Sequence, residues 1–245
     1  MKKCLFAMIL LSVALLASCR GNDYGNDYMV GQMVMDTQPP TTMTMPLIET
    51  VQVGEIVRFG SHEWRVLAVY EDDTALIITE NIIGHMPYYH TLFAYVVWEN
   101  SDARKHLNGD FFDSFTQEEQ NLIWPRTIST PNNEWFGTRG GDDTVDYIFL
   151  LSIEETVRYF GDSGTLSNPS SSQHGVRPWL LYDEYNSARV AVDLDSTEAY
   201  WWLRSSGFDI DFTAVVSKDG SINLSGNGAG AENGGLRPAL FLMLP

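Results

Sequence analysis

The chain has 245 residues, 44% of them hydrophobic and 12% aromatic, and its seven tryptophans exclude a disordered body. Its 32 Asp and Glu against 15 Lys and Arg give a net charge of −17, which excludes nucleic acid as a partner because phosphates would be repelled. Both cysteines, Cys4 and Cys19, fall at the N-terminal end, so disulfides, thiolate metal sites and thiol nucleophiles are excluded from the rest.

Lys2 and Lys3 form a cationic start, and Leu5–Ala17 is an uncharged apolar run of 13 residues. That is shorter than the roughly 20 residues a bilayer requires, and it matches the core of a signal peptide. The ending Leu16-Ala17-Ser18-Cys19 resembles the lipobox of bacterial lipoproteins. The resemblance implies a signal peptide over residues 1–18 and lipidation of Cys19; an ordinary cleaved signal with a chance cysteine is the alternative. The mature chain then counts 227 residues and, without Lys2 and Lys3, carries a charge of −19. It would sit in the cell envelope, outside the cytoplasm, held to a membrane by its N-terminal lipid. Residues 19–49 read as a flexible tether, with Gly-Asn-Asp-Tyr repeated at 21–24 and 25–28, Pro39-Pro40 and no sustained periodicity. Such a tether spans roughly 30 Å.

A single globular domain is predicted over residues 50–245. Glu55–Phe59, His62–Tyr70 and Thr74–Glu80 read as a three-stranded antiparallel meander. Asn100 or Ser101 caps a helix to about Leu107, with Asn108-Gly109 as its stop. Thr116-Gln117-Glu118-Glu119 is a capping box opening a helix through Ile123, closed by Pro125. Val145–Leu151 reads as a buried strand, and Ser152-Ile153-Glu154-Glu155 caps a helix ending at Gly161. Residues 162–198 lack periodicity. Tyr200–Arg204 is a strand, Phe212–Ser217 and Ser221–Leu224 form a hairpin about Lys218-Asp219-Gly220, and Leu236–Leu244 is a last strand. The fold class is α+β, with mixed or antiparallel sheets and short helices between them.

Five segments stand out in order: Phe59–Leu67, Ala103–Asn108, Phe149–Ser152, Trp201-Trp202-Leu203-Arg204-Ser205 and Leu236-Arg237-Pro238-Ala239-Leu240. Their order resembles that of a bacterial domain-of-unknown-function family, family 6273. The family usually has proline after that serine, where this chain has Ser206. More loosely, the order of aromatic strand, glycine-turn hairpin and closing Gly-x-Arg strand resembles the C-type-lectin-like fold, including formylglycine-generating enzymes. Fold would not fix function.

Arg204 and Arg237 sit inside apolar strands, where a guanidinium needs a carboxylate or several carbonyls. A clamp on a ligand carboxylate and a pair of internal salt bridges are both open; the structural role is the simpler. The glycine-rich stretch Gly226–Gly235 offers Asn227, Glu232 and Asn233 as binding-loop residues. Alternation places one ring of Trp201-Trp202 outward, and Trp202 is the candidate ligand contact. Asp142-Asp143 with Asp146, Asp193-x-Asp195 and Asp209-x-Asp211 could each give calcium part of its shell, but none supplies six to eight oxygens. His85 and His90 lack the spacing of a helical zinc motif, and neither a nucleophile elbow nor a phosphate cradle is present, so no cofactor or resident metal is expected. The tether, the lack of a complete catalytic set and the resemblance of the tail to a lectin-like fold point to a non-catalytic envelope domain that binds a glycan or a surface protein. The alternative is a carboxylate-dependent envelope hydrolase or transferase using Glu63 or Asp146 with a histidine.

Overall fold

Strict alternation opens the fold: in β1 (Ile56–Phe59) Val57 and Phe59 are buried, while Ile56 and Arg58 are exposed. β2 (His62–Val69) and β3 (Thr74–Thr79) complete the expected antiparallel meander, and β3 is buried along its whole length. The computed structural model describes residues 51–91, 95–166 and 180–244, all within one compact unit over residues 45–245. The expected signal peptide (1–18), Cys19 and the tether (19–49) lie outside the described residues. No helix among the described residues is long and apolar enough to cross a membrane.

After the two-residue β4 (Gly84–His85), Ser101 caps α1 (Asp102–His106) by accepting from the Arg104 amide. The chain does not stop at Asn108-Gly109 as predicted; it continues through a π-helical turn over Leu107–Phe111. Asn108 ties that turn to a later strand. Its amide donates to the carbonyls of Arg104 and Ile148 at 3.1 and 2.8 Å, and its oxygen accepts from the Tyr147 amide at 2.8 Å. α2 (Gln117–Gln120) carries the reciprocal Thr116/Glu119 capping box. It is shorter than predicted, because Ile123–Trp124 forms β5 against the last strand.

β6 (Arg126–Ile128) and β7 (Thr144–Asp146) make a separate ribbon, and β8 (Ile148–Phe149) follows, so the single strand predicted over Val145–Leu151 is two. α3 (Ile153–Phe160) has its predicted cap, Ser152 with Glu155. β9 (Leu180–Leu181) and α4 (Asn186–Arg189) emerge from the stretch without periodicity. β10 (Trp201–Ser206), β11 (Phe212–Val216), β12 (Ile222–Gly228), β13 (Gly235–Leu236) and β14 (Ala239–Met243) complete the chain.

One sheet runs β1-β2-β3-β14-β5, with β8 also on β14; the other runs β4-β13-β10-β11-β12-β9. All pairs are antiparallel except β10 with β13, where Trp201 stands opposite Gly235. The fold is α+β and largely sheet. The predicted strand Leu236–Leu244 is broken at Arg237-Pro238, where the chain passes from the second sheet into the first. Buried residues of both sheets make one hydrophobic core.

The β11–β12 turn is closely constrained. Gly220 has φ +79°, and a Cβ there would lie 1.8 Å from the Asn186 carbonyl oxygen. Asp219 accepts from the amide and hydroxyl of Ser221 at 3.0 and 2.7 Å. Gly220→Ala is expected to lower the unfolding free energy by about 2–4 kcal/mol through backbone strain and overpacking. Urea unfolding measures this; a change below about 0.5 kcal/mol, the ordinary surface range, would show that the turn does not pack on α4 as described.

Candidate functional site

Elements far apart in sequence converge on a cleft of about 400 Å³, within the size range of ligand pockets. Tyr70 and Asp72 come from the β2–β3 turn, Arg126 and Ser129 from β6 and its end, and Phe149 from β8. Glu155 and Tyr159 come from α3, Arg204 from β10 and Phe241 from β14. Phe149 and Phe241 stack at 5.7 Å, and the Tyr70 ring lies 5.8 Å from Phe241. The hydroxyls of Tyr70 and Tyr159 are 3.0 Å apart.

Arg204 is buried and fully engaged. Nε and Nη2 donate to the Ser129 carbonyl at 3.3 and 2.9 Å, Nη1 donates to the Leu150 carbonyl at 2.8 Å, and the fork grips both carboxylate oxygens of Glu155. Such bidentate, charge-assisted geometry suits a buried guanidinium. Arg126 Nη2 donates to Asp72 at 2.5 Å and to the Thr74 hydroxyl at 3.1 Å, and the guanidinium lies 5.0 Å from the Phe241 ring centre. The hydrogen bond from Thr74, and then that from Arg126, holds the Asp72 carboxyl below its ordinary range. Burial, and then the Tyr159 hydroxyl, pushes the Tyr70 phenol up.

Of the two internal salt bridges expected for these arginines, the structure has only that of Arg204. Arg237 meets three carbonyls instead: Nε donates to Thr79, Nη2 to Glu80 and Nη1 to Arg189, at 3.0, 3.0 and 3.3 Å. Burial lowers its pKa to about 10.

Trp202 requires the clearest correction. Trp201 and Trp202 are both fully buried, because β10 is an interior strand with every residue covered. Trp202 Nε1 donates to the Met86 carbonyl at 2.9 Å, and a Cβ on Gly234 would fall 1.9 Å from that nitrogen. No indole face is left for a ligand. Among the described residues, Trp124 on β5 is the exposed tryptophan and Trp135 is half-buried.

Asn227 is not in a free loop but inside β12, opposite Thr213. Glu232 and Asn233 are exposed. The Tyr200 hydroxyl donates to Asn233 at 2.9 Å; burial raises that phenol's pKa, while its hydrogen bond with Asn227 opposes the rise. Asn227 and Asn233 therefore meet on Tyr200, with Glu232 outside the contact. Asp146 is buried and accepts from Trp98 Nε1, Arg104 Nε and the Thr144 hydroxyl, each at 2.7 Å. Its oxygens are occupied, so it is not available as a general acid or base. Asp193 accepts from the amides of Asp195 and Thr197, closing its own turn. Among the described residues no three His, Cys, Asp or Glu come together to hold a metal ion.

Sequence reasoning missed the cleft, although it held one signal. An arginine in an apolar strand demands a carboxylate, and Glu155 is that partner. Its capping role hid the second one, since Glu155 Oε2 accepts from the Ser152 amide at 3.0 Å while also binding Arg204.

The class of protein this defines is an α+β domain of one antiparallel and one mixed sheet, with an arginine-braced, aromatic-floored cleft. The chain belongs to the family described as "Domain of unknown function (DUF6273)", whose profile matches residues 72–244. Of the five recurring segments, Phe59–Leu67 precedes that span and the other four lie within it. No curated protein and no solved structure matches the chain.

The Tyr70–Tyr159 pair can be tested by alkaline titration. The folded-state pKa of Tyr70 lies above its ordinary value of 10.0. Its stabilising contribution is therefore complete below pH 10 and is lost as pH rises through the folded-state value. Tyr159→Phe removes one cause of the rise. In a phenolate absorbance titration, Tyr70 should then ionise at lower pH than in the wild type, with Tyr70→Phe identifying its signal. An unchanged curve would show that Tyr159 does not hold Tyr70.

Proposed function

We propose that the chain is a cell-envelope lipoprotein, anchored through Cys19, whose folded domain binds a ligand without transforming it. A glycan fits best, with a surface protein as the other class of partner. One observation carries this reading. The cleft offers stacked aromatic rings and the phenol hydroxyls of Tyr70 and Tyr159, whereas both of its carboxylates, Asp72 and Glu155, are bound by arginines. Aromatic faces with a few placed hydroxyls suit the alternating apolar and polar faces of a sugar. The order of aromatic strand, glycine-turn hairpin and closing strand, present as β10, β11–β12 and β14, is the fold-level support for a lectin-like reading.

A second reading keeps one specific observation. Asp72 and Glu155 line the same cleft, as the paired carboxylates of a glycoside hydrolase would. Against it, the lowered pKa of Asp72 makes that group a poor proton donor.

The anchoring is checked by envelope fractionation. Cys19→Ser should release the protein from membranes, and retention there would refute the lipid anchor. For the domain, the full chain is screened on a glycan array and against envelope extract, with and without calcium. Saturable binding that falls at least tenfold in Tyr159→Ala, with no turnover, is the expected result. Hydrolysis of a glycoside or ester that disappears in Glu155→Gln would replace the binding reading with the second.

A further inference from the structure

Trp124 differs from the other described tryptophans in what its ring does for the fold. Trp64, Trp98, Trp201 and Trp202 are fully buried, and each indole N–H donates to an oxygen of the protein. Trp135 is half-buried against the core. Trp124 is 48% exposed; among the described residues its Nε1 meets no acceptor and its ring stacks on no other ring.

Its position relates it to the cleft. Trp124 stands opposite Phe241 in the β5–β14 pair. Directly opposed residues of an antiparallel pair leave the same face of the sheet, with Cβ atoms roughly 5 Å apart. Phe241 lines the cleft, and so does Arg126, two residues along the chain from Trp124. Trp124 therefore stands at the rim of the cleft. β5 is the end strand of its sheet, so among the described residues no further strand lies beyond it to cover the indole.

Size gives that rim a use. At about 400 Å³ the cleft is near the small end of the roughly 300–1,000 Å³ of ligand pockets. A sugar chain seated in it has to continue over the rim. There an indole offers an apolar face and one N–H donor, which match the C–H face and the hydroxyls of a pyranose.

We propose that Trp124 is an outer subsite of this cleft: the ligand is an oligosaccharide, with one unit in the cleft and a further unit stacked on the Trp124 indole. The proposal rests on the binding reading above and adds the ligand length that the site selects.

The test uses the full chain with N-acetylglucosamine and glucose, each as the monomer and as its chitin- or cellulose-derived dimer and tetramer. Calorimetry gives the affinities. Acrylamide quenching of fluorescence reports on Trp124, whose signal is the difference between wild type and Trp124→Phe. In a series that binds, the tetramer should bind about tenfold more tightly than the monomer and shield Trp124 from acrylamide. Trp124→Ala should remove the gain with length and leave monomer binding unchanged, while Trp124→Phe, with a smaller ring, should keep part of the gain. Tyr159→Ala, inside the cleft, should weaken every length alike. Equal binding of monomer and tetramer, or a length gain that survives Trp124→Ala, would overturn the outer subsite and leave the glycan reading standing. A loss in Trp124→Ala as large for the monomer as for the tetramer would also overturn it, because the ring would then serve the cleft itself. If neither series binds at any length, the outer subsite and the glycan reading both fall.

Discussion

Arg237 sits where the chain leaves the second sheet for the first, 1% exposed and in no salt bridge. An unpaired buried cation would cost several kcal/mol. Three backbone carbonyls, each worth about 1.5–3 kcal/mol as a partner of a charged donor, offset that cost. Aromatic faces at 5.2 Å (Phe160) and 5.1 Å (Trp201) contribute further. Two of the carbonyls, Thr79 and Glu80, belong to the end of β3 and the residue after it, so the guanidinium pins the first sheet to the crossover. The third, Arg189, belongs to α4 and also accepts from Trp201 Nε1 at 3.1 Å. Arg189 in turn donates to the Gly220 carbonyl at 2.9 Å and pairs with buried Asp183. The crossover, α4, the β11–β12 turn and the first tryptophan of β10 are thus one polar network through an apolar core. Losing any member leaves a buried donor or acceptor unmatched.

That fixed frame allows a cleft to be assembled from β3, β6, β8, α3, β10 and β14. Glu155 is the hinge of the arrangement. One carboxylate satisfies the first turn of α3 and neutralises Arg204, so the helix start and the cleft wall are positioned by the same group. Arg204 is saturated and acts as a wall. Arg126, on a two-stranded ribbon outside both main sheets, is bound by a single nitrogen and retains donor capacity.

Legibility in the sequence followed the range of the chemistry. The caps at Ser101, Thr116 and Ser152, and the turn at Asp219-Gly220, were readable because their partners lie within four residues. The β1–β3 meander was readable from alternation. β4, β5 and β13 are two residues long and exist because a partner strand offers its backbone, which no local pattern encodes. Trp202 was misread for a related reason: alternation separates two faces but cannot tell when both are covered. Arg237 was half legible. Its burial followed from the apolar run, whereas carbonyl partners have no residue type to betray them.

The same reasoning separates the two surfaces considered for binding. Around Tyr200, Asn227 and Asn233 satisfy each other through the phenol, and neighbouring Trp202 is sealed beneath Gly234. That patch is exposed yet has few groups in search of a partner. The cleft beside Arg204 is the reverse. Most of its polar atoms are paired, and the exception is the buried Nε of Arg126, in a wall floored by stacked rings. Recognition needs an unmet hydrogen-bonding demand next to apolar surface that water hydrates poorly. In the cleft, the unmatched Arg126 Nε is buried beside the Phe241 ring, so the polar demand and the apolar surface lie next to each other in its wall.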